Sequence, residues 1–85
     1  MVSVNNLTWT AVPMSPQANR NTLSIVNLSG ELVYYNFAAA DVDVAPYIGW
    51  PIFDQGVENI KITDSIVIYV KSSASAVKIM VRELS

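Results

Sequence analysis

The sequence predicts an all-β domain, a small antiparallel β-sandwich or barrel of six to seven strands. Three observations carry that expectation. Apolar residues recur with a period of two, as where Val77, Ile79 and Val81 alternate with Lys78, Met80 and Arg82. No long 3.6-residue apolar stripe occurs anywhere. Clusters of Gly, Pro, Asn, Asp and Ser break the chain at short, regular intervals, as in small sandwiches. At 85 residues the chain is read as one domain, 1–85, with residues 1–6 as a flexible arm.

The elements follow in order. Leu7 to Val12 reads as a strand that ends at Pro13, because proline supplies no ladder donor. Gln17 to Asn21 is a polar turn or loop. Leu23 and Ile25 mark one strand, and Val33, Tyr35 and Phe37 mark the next. Between them Asn27-Leu-Ser-Gly-Glu31 has the length of a hairpin loop. Ala38 to Asp43 has enough alanine for a turn of helix, but β-branched Val42 and Val44 and the ring of Pro46 oppose a longer one. Tyr47-Ile-Gly-Trp-Pro-Ile-Phe53 is apolar yet broken by Gly49 and Pro51, so it reads as a kinked edge strand or a loop packed down by its aromatics. Asp54-Gln-Gly56 is a turn. Residues 57 to 84 read as a meander of three antiparallel strands. Its middle strand, Ile66 to Val70, is apolar on both faces and is expected to be central or covered, with Ile66, Ile68 and Val70 inward.

Composition then narrows the chemistry. Neither His nor Cys occurs, which removes the usual ligands of zinc, copper, haem and iron–sulfur sites, any disulfide, and both Ser-His-Asp and Cys-His catalysis. Carboxylate-pair glycoside hydrolysis, for instance with Asp41 and Asp54, would need a groove that encloses a sugar, and a domain this small rarely builds one. The expectation is a non-enzyme with no cofactor and no metal. Net charge is −2, spread as +1 over residues 1–30, −4 over 31–54 and +1 over 57–85, with no basic stripe for nucleic acid. Lys61, Lys71, Lys78 and Arg82 read as strand cations that keep exposed surfaces from pairing with other chains. The opening residues lack the charged and apolar regions of a secretion signal, and no apolar run is long enough to span a bilayer, so synthesis in the cytoplasm without a membrane anchor is expected. Hydrophobic residues make up 52% of the chain and charged residues 14%. That apolar surplus on a small domain without disulfides points to a homo-oligomer or a docked module.

Candidate sites are few. Trp9, Tyr34, Tyr35, Tyr47, Trp50 and Phe53 are large rings, and a phenol or indole adds a polar handle to an apolar face. Tyr34 and Tyr35 adjoin on one strand, so they project to opposite faces and cannot both fill the core. The plainer reading buries Trp9, Trp50 and one tyrosine in the interior or an oligomer interface. For the rest a protein interface is favoured over a sugar platform, with Tyr35, Tyr47, Trp50 and Phe53 as its residues. Asp41-Val-Asp43 with Asp54 has the oxygen ligands of a calcium loop, but lacks the glycine and distal glutamate of an EF-hand, and a solvated acidic loop is the simpler account. Asn6-Leu-Thr8 and Asn27-Leu-Ser29 satisfy the glycosylation pattern by chance if the chain is not exported.

The order of segments resembles a known family. Asn19-Arg-Asn-Thr-Leu-Ser-Ile-Val-Asn-Leu-Ser29, Val33-Tyr-Tyr-Asn36, Gly49-Trp-Pro-Ile-Phe-Asp-Gln-Gly56, Ile66-Val-Ile-Tyr-Val-Lys-Ser-Ser73 and Val77-Lys-Ile-Met-Val-Arg-Glu-Leu84 resemble the small β-sandwich virion proteins of tailed bacteriophages and prophages, of the capsid decoration or head auxiliary type. The resemblance spans about residues 19 to 84 and rests on Arg20, Leu23, Ile25, Asn27, Tyr34, Gly56, Tyr69 and Glu83 as positions of the fold. Phe53-Asp-Gln-Gly stands where the family more usually has Leu-x-Pro-Gly, and the Leu7 to Val12 strand lies outside the pattern. What the resemblance implies is a structural protein of the virion that docks on the major capsid protein or another virion protein and stabilises the shell, as a homo-oligomer that includes the trimer among its possibilities. It implies no contact with nucleic acid or membrane. The alternative is a carbohydrate- or receptor-binding module of a tail or fibre, with Trp50, Tyr47 and Tyr35 as its platform.

Overall fold

The computed structural model describes residues 2–13, 17–42, 47–63, 65–74 and 76–84. These form eight strands and no helix: β1 (Val2–Val4), β2 (Thr10–Ala11), β3 (Thr22–Val26), β4 (Val33–Asn36), β5 (Trp50–Ile52), β6 (Val57–Lys61), β7 (Tyr69–Ser72) and β8 (Val77–Leu84). They build two four-stranded sheets, ordered β1-β8-β3-β6 and β2-β7-β4-β5, with every pairing antiparallel. The predicted all-β sandwich is therefore the observed architecture.

The pairing obeys one rule. First joins last (β1·β8), second joins seventh (β2·β7), third joins sixth (β3·β6) and fourth joins fifth (β4·β5). The chain is thus one long hairpin with its tip at β4–β5, rolled so that β3 also meets β8 and β4 also meets β7. This is the connectivity of an eight-stranded jelly roll. Only the β4–β5 connection stays within a sheet; all the others cross between sheets.

That connectivity corrects several expectations. The supposed β3–β4 hairpin is an arch between sheets, and residues 57–84 are no meander, since β6 and β8 lie in one sheet and β7 in the other. Alternation shows which side chains turn inward but not which strand lies alongside, and both errors have that source. Ile68 and Val70 are buried as expected, whereas Ile66 is exposed in the loop before β7. The expected arm at residues 1–6 contains β1, paired Val2↔Ile79 and Val4↔Val77, and this small strand is the one in excess of the six or seven expected. The Leu7 to Val12 strand shrinks to Thr10–Ala11, because the Asn5 carboxamide accepts from the Leu7 and Thr8 N–H groups and turns the chain first.

The core lies between the sheets. Val4, Leu23, Ile25 and Ile79 face Val12, Val33, Ile52, Ile68 and Val70, all buried, and the period of two accounts for each. Two polar side chains are buried at opposite ends of β3. Before it, Arg20 is 2% exposed; Nη1 donates to Glu83 of β8 at 3.1 Å, Nε to the Thr63 carbonyl at 3.2 Å, and Nη2 to the Ile66 carbonyl. After it, Asn27 is fully buried; its amide donates to the Glu31 and Ile52 carbonyls at 2.7 and 2.8 Å, and its Oδ1 accepts from the Ser29 hydroxyl and N–H. An Asn27 so engaged is no glycosylation acceptor. At the Asp54–Gly56 turn Gln55 takes the left-handed conformation, φ 66°, and a Cβ on Gly56 would stand 2.8 Å from the Phe53 carbonyl.

Removing one partner of a buried ion pair leaves the other charge stranded. Glu83→Ala should therefore cost about 3 kcal/mol or more of folding free energy. The adjacent, outward-facing Arg82→Ala should stay within about 0.5 kcal/mol. Urea unfolding of the two variants decides this, and equal losses would contradict the role assigned to Arg20.

Candidate functional site

The aromatic residues divide between the two faces of the second sheet. Tyr35 and Trp50 are Cα partners across the β4–β5 ladder, so their side chains share one face, the inward one that also carries Val33 and Ile52. β5 is an edge strand, which leaves Trp50 44% exposed, and Phe37, 52% exposed, meets Tyr35 edge-on at 6.3 Å. Glu58 projects inward from β6 of the other sheet. It raises the pKa of the Tyr35 phenol above its ordinary value, after burial and together with it, through its charge and a side-chain hydrogen bond. The result is an open rim where Tyr35, flanked by Phe37 and Trp50, meets one carboxylate.

A second group lies on the outward face. Tyr34 points away from the core yet is only 8% exposed, because Trp9, Gly49 and Tyr47 cover it; its ring is 6.1 Å from that of Tyr47, which in turn meets Phe53 edge-on at 6.1 Å. A Cβ on Gly49 would come within 2.8 Å of the Trp9 ring and 2.9 Å of the Tyr34 Cβ, so glycine is what allows this close cover. Asp41 pins the arrangement: its Oδ1 accepts from the Trp9 indole N–H at 2.8 Å and from Lys71 Nζ at 3.2 Å, and the ammonium stands 5.8 Å from the Trp9 ring centroid.

The four expected interface residues therefore form two pairs rather than one platform. Tyr35 and Trp50 stand on the inward side and Tyr47 and Phe53 on the outward side of β5, since successive strand residues face opposite ways. Of the rings assigned to the interior or an oligomer interface, Trp9 covers the outside of the sheet and Trp50 stands at its rim. Sequence reasoning missed Phe37, Glu58 and the Trp9–Asp41–Lys71 latch. Glu58 sits at an inward position of the alternation, a charge among core positions, and that was the available signal. The latch joins residues 30 and more apart and left none.

The calcium loop does not assemble from what is described: Asp41 serves Trp9 and Lys71, Asp54 accepts from the Gly30 N–H at 2.8 Å, and Asp43 lies outside the described residues. Among the described residues no three metal-ligating side chains cluster, no pocket forms, and no helix is long and apolar enough to cross a membrane. Comparison with family models, curated proteins and solved structures finds no match for this chain.

The hydrogen bonds from Trp9 and then Lys71 hold the Asp41 carboxyl below its ordinary 3.8. A depressed carboxylate pKa stabilises the fold fully above the unfolded value and loses that contribution as pH falls through the folded one. In a Trp50→Phe background, Trp9 fluorescence should thus change at a pH below the ordinary aspartate range. Asp41→Asn should abolish that transition, and a transition unaffected by it would remove Asp41 as the cause.

Proposed function

We propose that the chain is a non-enzymatic structural protein of a tailed-phage virion, most simply a capsid decoration or auxiliary protein that docks on the major capsid protein or a neighbouring virion protein and stabilises the shell. The observation that supports it best is the exposure of large apolar side chains around the β4–β5 tip, Phe37, Trp50 and Phe53 at 44–57%, on a domain with little core to spare. The segment resemblance supplies the virion setting. Jelly rolls also serve as lectins and cupins, so the connectivity agrees with this reading without deciding it. Docking through such a patch makes particle stability depend on occupancy by mass action, and association of copies into a trimer on the shell would bury more of the same surface.

Virions assembled without this protein should lose resistance to heat or low salt. Supplying a Trp50→Ser, Phe37→Ser double variant should restore neither the resistance nor the normal copy number. Particles that melt identically with and without the protein would refute the stabilising role.

One observation favours a second reading, a carbohydrate- or receptor-binding module of a tail or fibre. Tyr35 interacts with the Glu58 carboxylate and is flanked by Phe37 and Trp50, and aromatic faces beside a hydrogen-bond acceptor suit the C–H and O–H groups of a sugar. On that reading glycan-array binding disappears in both Trp50→Ala and Glu58→Gln while the far-UV spectrum persists. Absence of glycan binding by the parent chain would dispose of it.

A further inference from the structure

The two outward faces of the sandwich differ in kind. The outside of the second sheet is covered by its own chain, through Trp9, Tyr47 and the Asp41 latch. Among the described residues nothing covers the outside of the β1-β8-β3-β6 sheet, and it carries cations. Lys78 and Arg82 of β8 and Lys61 of β6 are all exposed on it. The other two cations are neutralised elsewhere, Arg20 by Glu83 and Lys71 by Asp41. Among the described residues no acid shares the face: Glu58 and Glu83 turn inward, Asp41 lies on the opposite sheet, and Glu31 and Asp54 sit in the loops beyond β3 and β5. A chain of net charge −2 thus presents one face that, among the described residues, bears three positive charges and no acid. Across the same face runs an apolar row, Met80, Val26 and Val57, direct neighbours on three adjacent strands, with Met80 and Val57 about half exposed.

We infer that this face is a second docking surface, independent of the aromatic rim, and that its partner is an acidic protein surface with apolar residues among its carboxylates. Charge complementarity selects the sign, and like charges placed opposite would be rejected. The apolar row selects a protein over a polyanion, since phosphates offer Met80 and Val57 nothing to bury. Size agrees: four strands span only about 15 Å across, a width that suits a compact acidic patch better than the long track of a nucleic acid. Two separated surfaces would let one copy bridge two neighbours.

The test uses the full-length, isotope-labelled protein and three probes of equal charge: a synthetic peptide alternating glutamate with leucine, a leucine-free glutamate peptide, and a short DNA duplex. Amide shifts on titration should concentrate in β1, β3, β6 and β8, with the glutamate–leucine peptide binding tightest and more weakly as salt rises. Replacing Lys61, Lys78 and Arg82 together by Gln should weaken it about tenfold, as three exposed charge pairs would. Met80→Ser should remove its advantage over the leucine-free peptide. Shifts that map elsewhere, an absence of binding, or DNA binding as tightly as the peptide would overturn the inference. So would salt-sensitive dimers in sedimentation that vanish with the three Gln replacements, because the occupant would then be a second copy. The comparison of probes on the parent chain needs no variant to fold.

Discussion

The structure depends on how β3 is held at its two ends. This strand is central in its sheet, between β8 and β6, and both of its flanking connections cross to the other sheet. A crossing loop leaves the ladders and must satisfy its backbone groups some other way. Arg20 does this at one end by binding the Thr63 and Ile66 carbonyls and Glu83, which joins the β2–β3 and β6–β7 loops to the end of β8. Backbone bonds reinforce it, from Asn21 N–H to the Leu84 carbonyl and from Ile62 N–H to that of Asn21. Asn27 does the same at the other end for the β3–β4 and β5–β6 loops, adding its own N–H to the Gly56 carbonyl. Between these two clamps Leu23 and Ile25 have only one register in which both enter the core.

The clamps also explain what was legible in the sequence. The spacing Arg20, Leu23, Ile25, Asn27 is one strand with its two buried core residues and its two end clamps. Glu83 and Gly56, far along the chain, are partners of Arg20 and Asn27. Of the residues quoted for the resemblance, Arg20, Leu23, Ile25, Asn27, Gly56 and Glu83 thus fix the roll, a structural role that says nothing of what is bound. The alternation located nearly every core side chain for the same reason. The arch was not legible, because a loop of hairpin length serves equally to pair two strands or to carry one over the core, and what decides is a side chain, Asn27, reaching across to the Ile52 carbonyl. Nor was the division of the aromatics, since Tyr47 and Trp50 stand three residues apart in one apolar segment but fall on opposite sides of β5.

Charge shows the same limit more sharply. Counted along the chain, residues 57–85 hold +1 and look nearly neutral. Folding separates that segment by parity: Lys61, Lys78 and Arg82 occupy outward positions, while Glu58 and Glu83 occupy inward ones and are consumed by Tyr35 and Arg20. A sheet sorts charges by odd and even position, so a balanced sequence can yield an unbalanced face. The inward acids are the cause of the imbalance, and one of them is the ion-pair partner that holds β3 in place. The outward cations of β8 are thus set by the same alternation that delivers Glu83 to Arg20. A one-residue slip of β8 would at once break the clamp, bury the cations and expose Ile79 and Val81, which makes the basic face and the integrity of the fold a single structural fact.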